Sequence, residues 1–163
     1  MSTKHILSVT VANNPGVLSR ITGLFSRRNF NINSLNVGET EDPKYSRMTI
    51  EVNADKKTLD QIKKQLDKLI EVIKITELDR SDIVDRDLAL IRVKSTRKQR
   101  SEIIQIVDTF RGKVVDLSTD TIMVEATGTA SKIEALIEIL RDFGIKDIVR
   151  TGIIALNRGV LHN

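Results

Sequence analysis

The chain has 163 residues, 40% hydrophobic and 29% charged, with 3% aromatic and a formal net charge of +4. These values exclude extensive disorder and predict an aliphatic core, in one domain or two small ones. The absence of cysteine excludes disulfides, thiolate metal sites and a cysteine nucleophile.

No apolar run approaches the ~20 residues of a membrane helix, and "MSTKHILSVTV" lacks the apolar segment of a signal peptide. The expectation is a cytoplasmic chain with no membrane partner. Lysines in "DQIKKQLDKL" alternate with acids around a helical stripe, which reads as a solvated face and not as a nucleic-acid groove.

Residues 5–11 ("HILSVTV") alternate with Leu7, Val9 and Val11 on one face, the period of a half-buried strand. Asn13-Asn14-Pro15-Gly16 breaks it. Val17, Ile21, Leu24 and Phe25 then recur at helical spacing, and the helix closes near Arg28-Asn29, where Asn can take the left-handed conformation. "INSLNVG" and "SRMTIEV" predict a hairpin around the Asp42-Pro43 turn. Leu59, Ile62, Leu66 and Leu69 mark a second helix, with Asp55 as its N-cap, before the strand "VIKITEL".

After the charged stretch "DRSDIVDRD" the same order begins again. "LALIRVK" is a strand, and Ile103, Ile104, Val107 and Phe110 stripe a helix that Gly112 stops. "KVVDLS" and "TIMVEAT" pair, Ser131-x-x-Glu134 has capping-box spacing, and Ile133, Leu136, Ile137 and Leu140 line the last helix. "DIVRTGIIAL" closes the second copy. The fold class is therefore α+β, with two ferredoxin-like βαββαβ domains, each a four-stranded antiparallel sheet carrying two helices on one face. The predicted boundaries are 1–79, a linker at 80–87, and 88–163. The uncovered sheet faces predict self-association.

Catalytic machinery is not legible. His5 and His162 lie at opposite ends of the chain, the eight glycines form neither a dinucleotide fingerprint nor a P-loop, and no serine sits in a nucleophile motif. Asp79, Asp82, Asp85 and Asp87 crowd the expected linker and read as a solvated connection, not a metal site.

The turn at 13–16 differs from these. A strand that enters a helix through Gly presents unpaired N–H groups to an anion such as a carboxylate, and Asn13 and Asn31 can donate and accept. An amino-acid zwitterion needs both functions. The plainer alternative is that Asn13, Asn14, Pro15 and Asn31 only shape turns.

"NNPGVLSRITGLFSRRNFNINSL" followed by "SRMTI" resembles the ACT domain of the small, regulatory subunit of acetohydroxyacid (acetolactate) synthase. "FRGKVVDLS", "GTASKIEALIEIL" and "FGIKDIVRTGIIALNRG" resemble that family's C-terminal domain. The resemblance implies a non-catalytic subunit that activates a separate catalytic large subunit and confers feedback inhibition by valine. Thiamine diphosphate, Mg and FAD would belong to that partner, with no cofactor in this chain. It implies a homodimer through ACT domains, with valine held by Asn13, Gly16, Val17 and Leu18 of one copy and by Asn31 and Ile32 of the neighbour. Valine's carboxylate is expected on the N–H groups around Gly16-Val17-Leu18, and its ammonium on oxygens of Asn13, Asn31 or a loop carbonyl. The family commonly has Gly where this chain has Asn29, a residue that tolerates the same backbone. The alternatives are a ferredoxin-like RNA-binding module, whose base-stacking aromatic pair is missing from "SRMTIEV" and "INSLNVG", and an enzyme in its own right.

Overall fold

The structure, a computed structural model, describes residues 2–159. It contains β1 (Thr3–Ala12), α1 (Val17–Arg27), β2 (Ile32–Glu39), β3 (Tyr45–Ala54), α2 (Lys56–Asp67) and β4 (Val72–Leu78). After a 3-10 turn at Arg80–Asp82 come β5 (Ile83–Lys94), α3 (Arg100–Thr109), β6 (Lys113–Leu117), β7 (Thr121–Gly128), α4 (Ala130–Leu140), β8 (Ile145–Arg150) and β9 (Ile154–Asn157). His162 lies outside the described residues.

Two compact units result: one runs to Val84 and takes up the chain again from Ile153, and the other is Asp85–Gly152. The first sheet has the antiparallel order β2-β3-β1-β4. Leu7, Val9 and Val11 of β1 meet Ile50, Met48 and Ser46 of β3 on one face, and the apolar stripes of α1 and α2 bury against it. The second sheet has the order β6-β7-β5-β8, with Ala89, Ile91 and Val93 under Ile103, Val107, Ile133 and Leu136 of its helices. The buried cluster of the second core is aliphatic throughout, and the first admits only Phe25 and Met48 among its aliphatic side chains.

Three details depart from the sequence reading. β5 starts at Ile83, so most of the expected 80–87 linker is strand. The alternation there is masked in the sequence because one inward position is Asp87, 2% exposed and paired with Arg150 through Nε at 3.0 Å. A buried carboxylate is tolerated when a guanidinium answers it. Second, "DIVRTGIIAL" does not form one strand: Gly152, at φ +79, falls between β8 and β9. β9 pairs with β5, giving this sheet a fifth strand where four were expected, and it packs beside β4. Third, α4 is capped by Thr129, which accepts from the Lys132 N–H, and not by Ser131.

The first unit covers part of its own exposed sheet face. Arg80 reaches Glu51 at 3.0 Å and Asn36 donates to the Ile153 carbonyl at 2.8 Å. Ile6 and Leu78 on that face, and Ile83, Ile153 and Ala155, are all buried. The chain's own later segments thus do some of the covering that had been expected of a partner.

Candidate functional site

The turn between β1 and α1 is held from two sides. The Ala12 N–H donates to the Glu71 carbonyl and the Asn13 N–H to the Lys44 carbonyl, both at 2.8 Å. Asn13 Nδ2 donates to the Pro43 carbonyl at 2.9 Å and to Glu39 Oε1 at 3.2 Å. Arg20 forms an ion pair with Glu71 beside it. The start of α1 is therefore fixed before any ligand arrives.

Gly16 is the N-cap of α1, at φ +85, and supplies no side-chain cap. A Cβ built there would meet nothing within 4 Å, so the space above the turn is open. The Arg20 N–H closes on the Gly16 carbonyl and the Val17 N–H leans on Asn14 at 3.4 Å. The N–H groups of Leu18 and Ser19 have no acceptor among the described residues, as the first turn of an uncapped helix dictates. These donors and the positive end of the helix dipole make an anion-binding surface. Val17 is 4% exposed and anchors the turn in the core, whereas Leu18 is 44% exposed.

Asn31 and Ile32 are elsewhere. They follow the far end of α1, whose 11 residues span about 16 Å. The register agrees: Ala12 faces Tyr45 at one end of β3, and Ile32 faces Val52 near the other. Within one chain the predicted residues fall into two groups at opposite ends of the sheet. Asn29 adopts φ +58 and closes α1, with the Phe30 N–H returning to the Phe25 carbonyl, as expected of Asn in place of Gly.

Sequence reasoning missed Glu39 and the Pro43 carbonyl, which orient Asn13, and Val37, 46% exposed on the same face of β2 as Glu39. Nothing local signals the Asn13–Glu39 contact, which joins residues 26 apart. Other polar residues weighed as chemical candidates have structural partners. His5 Nε2 lies 3.1 Å from the Ala54 carbonyl oxygen, and Asp79 caps the 3-10 turn. The Ser81 N–H and hydroxyl hold the Asp79 carboxyl below its ordinary pKa. Among the described residues, no group of three or more His, Cys, Asp or Glu could hold a metal ion, and no helix is long and apolar enough to cross a membrane.

Two family models match the chain: the AHAS small subunit-like ACT domain over residues 7–74, and the small subunit of acetolactate synthase over residues 86–159. The acetolactate synthase small subunit of Mycolicibacterium smegmatis is 51% identical over 155 residues, covering 95% of this chain and 91% of that protein. The probable acetolactate synthase small subunit of Methanothermobacter thermautotrophicus is 49% identical over 156 residues, covering 95% and 93%. Among solved structures, the acetolactate synthase small subunit of Thermotoga maritima aligns with a TM-score of 0.89 at 44% identity, covering 98% of this chain and 99% of that one.

Proposed function

Because the chain belongs to the acetolactate synthase small-subunit family, we propose that it is a regulatory subunit whose β1–α1 turn binds valine and transmits feedback inhibition to a catalytic large subunit. Thiamine diphosphate, Mg and FAD are assigned to that partner, and this chain contributes binding and not chemistry. Its place of action is the cytoplasm.

One observation carries the reading: the start of α1 is anchored, uncapped and open above Gly16. Valine's carboxylate docks on the Leu18 and Ser19 N–H groups, and its isopropyl group lies against the exposed Leu18 and Val37 side chains. One methylene is worth only about 1–3 kcal/mol in such a pocket, so leucine and isoleucine compete in a graded way. The opposite placement of the two groups supports a homodimer. In a two-fold pair whose β2 edges run antiparallel, each end of one copy meets the opposite end of the other, which carries Asn31 and Ile32 to the Asn13–Leu18 turn of the neighbour. β2, the edge strand beside these residues, leaves an unpaired backbone edge for that contact.

Valine inhibits by binding two states of the complex unequally, a coupling of typically about 1–3 kcal/mol. The test is to mix the purified chain with its catalytic subunit and measure acetolactate formation with and without valine. Stimulation that valine reverses is the expected result. Stimulation insensitive to valine, together with no valine binding by calorimetry, removes the effector site. No stimulation removes the regulatory role.

A further inference from the structure

The side-chain amide of Asn13 can be turned only one way. Its nitrogen faces the Pro43 carbonyl at 2.9 Å and the Glu39 carboxylate at 3.2 Å, and both groups only accept. Rotating the amide by half a turn would set its oxygen against two other oxygens and forfeit both bonds. The backbone N–H of Asn13 is spent on the Lys44 carbonyl. Every donor of Asn13 is therefore committed to the β2–β3 hairpin, and Oδ1 is what its side chain has left to offer, with the Glu39 charge behind it.

We propose that Glu39 and the Pro43 carbonyl are positioning groups that make Asn13 a pure acceptor, so that the β1–α1 turn selects ligands carrying an ammonium group next to a carboxylate. The proposal rests on the reading of this turn as an amino-acid site and adds what orients Asn13 toward the amine. The two poles are divided: helix N–H groups of Leu18 and Ser19 take the carboxylate, and Asn13 Oδ1 takes the ammonium. Acids of the same carbon skeleton without the amine lose the second contact and meet Glu39's negative charge uncompensated. The turn thus reports on the amino acid and not on its deaminated relatives.

Full-length chain is titrated calorimetrically with valine and with 3-methylbutanoate, which has the same carboxylate and isopropyl group but no ammonium. The wild type is expected to prefer valine by about tenfold or more. In Glu39→Gln the new amide oxygen can still accept from Asn13, but the charge is gone. Valine then weakens roughly fivefold while 3-methylbutanoate, relieved of that charge, binds no more weakly than before. In Asn13→Ala the preference between the two ligands collapses toward parity. Equal weakening of both ligands by Glu39→Gln, or valine binding unaltered by it, overturns the positioning role. A wild type that binds both ligands equally overturns the selection of the ammonium while leaving the carboxylate site standing. A wild type that binds neither sinks the amino-acid site itself, and this proposal with it.

Discussion

After β1 in one unit and β5 in the other, the chain turns into a helix, and the two helices end alike. Asn29 and Arg111 take left-handed backbone at φ +58 and +57, and the N–H groups of Phe30 and Gly112 return to the carbonyls of Phe25 and Val107. Gly112 itself is needed for closeness and not for its φ, because a Cβ there would sit 3.1 Å from the Glu125 carbonyl oxygen of β7. The helix beginnings differ. In the second unit the turn ahead of α3 closes on itself, the Gln99 N–H donating to Thr96 Oγ1 at 3.3 Å and the Thr96 N–H to Gln99 Oε1 at 3.1 Å, although Gln99, the N-cap residue, makes no side-chain cap of its own. In the first unit the turn ends on Gly16, which has no side chain with which to close it. One topology thus carries a turn that answers itself and a turn left open, and such a difference is a property of local chemistry and not of the fold.

That contrast can be broken or sharpened by mutation. Leu7→Ala and Ile91→Ala remove buried side chains from the first and second cores and should each destabilise by about 2–5 kcal/mol in denaturant titrations. Only Leu7→Ala should also weaken valine binding, since only the first core supports the open turn. Equal damage to the valine isotherm from both changes would contradict the division of labour.

Gly16→Asp comes next. It places a carboxylate at the proposed position of the effector's own, at a backbone φ that L residues adopt with strain. Valine affinity should fall about a hundredfold, near 2.7 kcal/mol, and acetolactate formation should no longer respond to valine. Undiminished binding in calorimetry would remove the site.

Thr96→Ala tests the self-closed turn. Loss of that turn hydrogen bond should cost about 0.5–1.5 kcal/mol of stability and leave the valine titration as it was. A changed valine affinity would show that the two turns do not act separately.

The smallest effect concerns the second helix of each unit. Asp55 caps α2, accepting from the Thr58 N–H at 2.7 Å, and Thr129 caps α4. Hydrogen bonding to the Thr58 backbone lowers the Asp55 pKa from 3.8. Its contribution is present above that value and lost as pH falls through the lower folded value, whereas the Thr129 cap does not titrate. Asp55→Asn should flatten the acid limb of the stability curve and Thr129→Asn should not, a difference readable by circular dichroism below pH 4. Identical acid limbs for Asp55→Asn and the wild type would contradict the assignment.

Much of the candidate site was legible because its signals are local. The Asn-Asn-Pro-Gly run marks the turn, Val17 and Ile21 mark the helix it opens, and an Asn can be read as a left-handed closure without knowing what surrounds it. The hydrogen-bond partners of Asn13 were not legible, because Glu39 and Pro43 are ordinary residues of a polar hairpin until the sheet brings them under β1. The same reasoning applies to Asp87, which reads as linker until Arg150, 63 residues later, neutralises it inside the second unit.

The sequence by itself determined the order of elements, the two aliphatic cores and the place of the open turn, since period-2 and period-3.6 burial and glycine's backbone freedom are properties of a few neighbouring residues. Only the tertiary structure decided where the units divide, which way the Asn13 amide faces, and that Asn36 would meet Ile153, 117 residues away. Each of these joins groups distant in the chain, and their pairing is set by how the sheets assemble and not by any local preference.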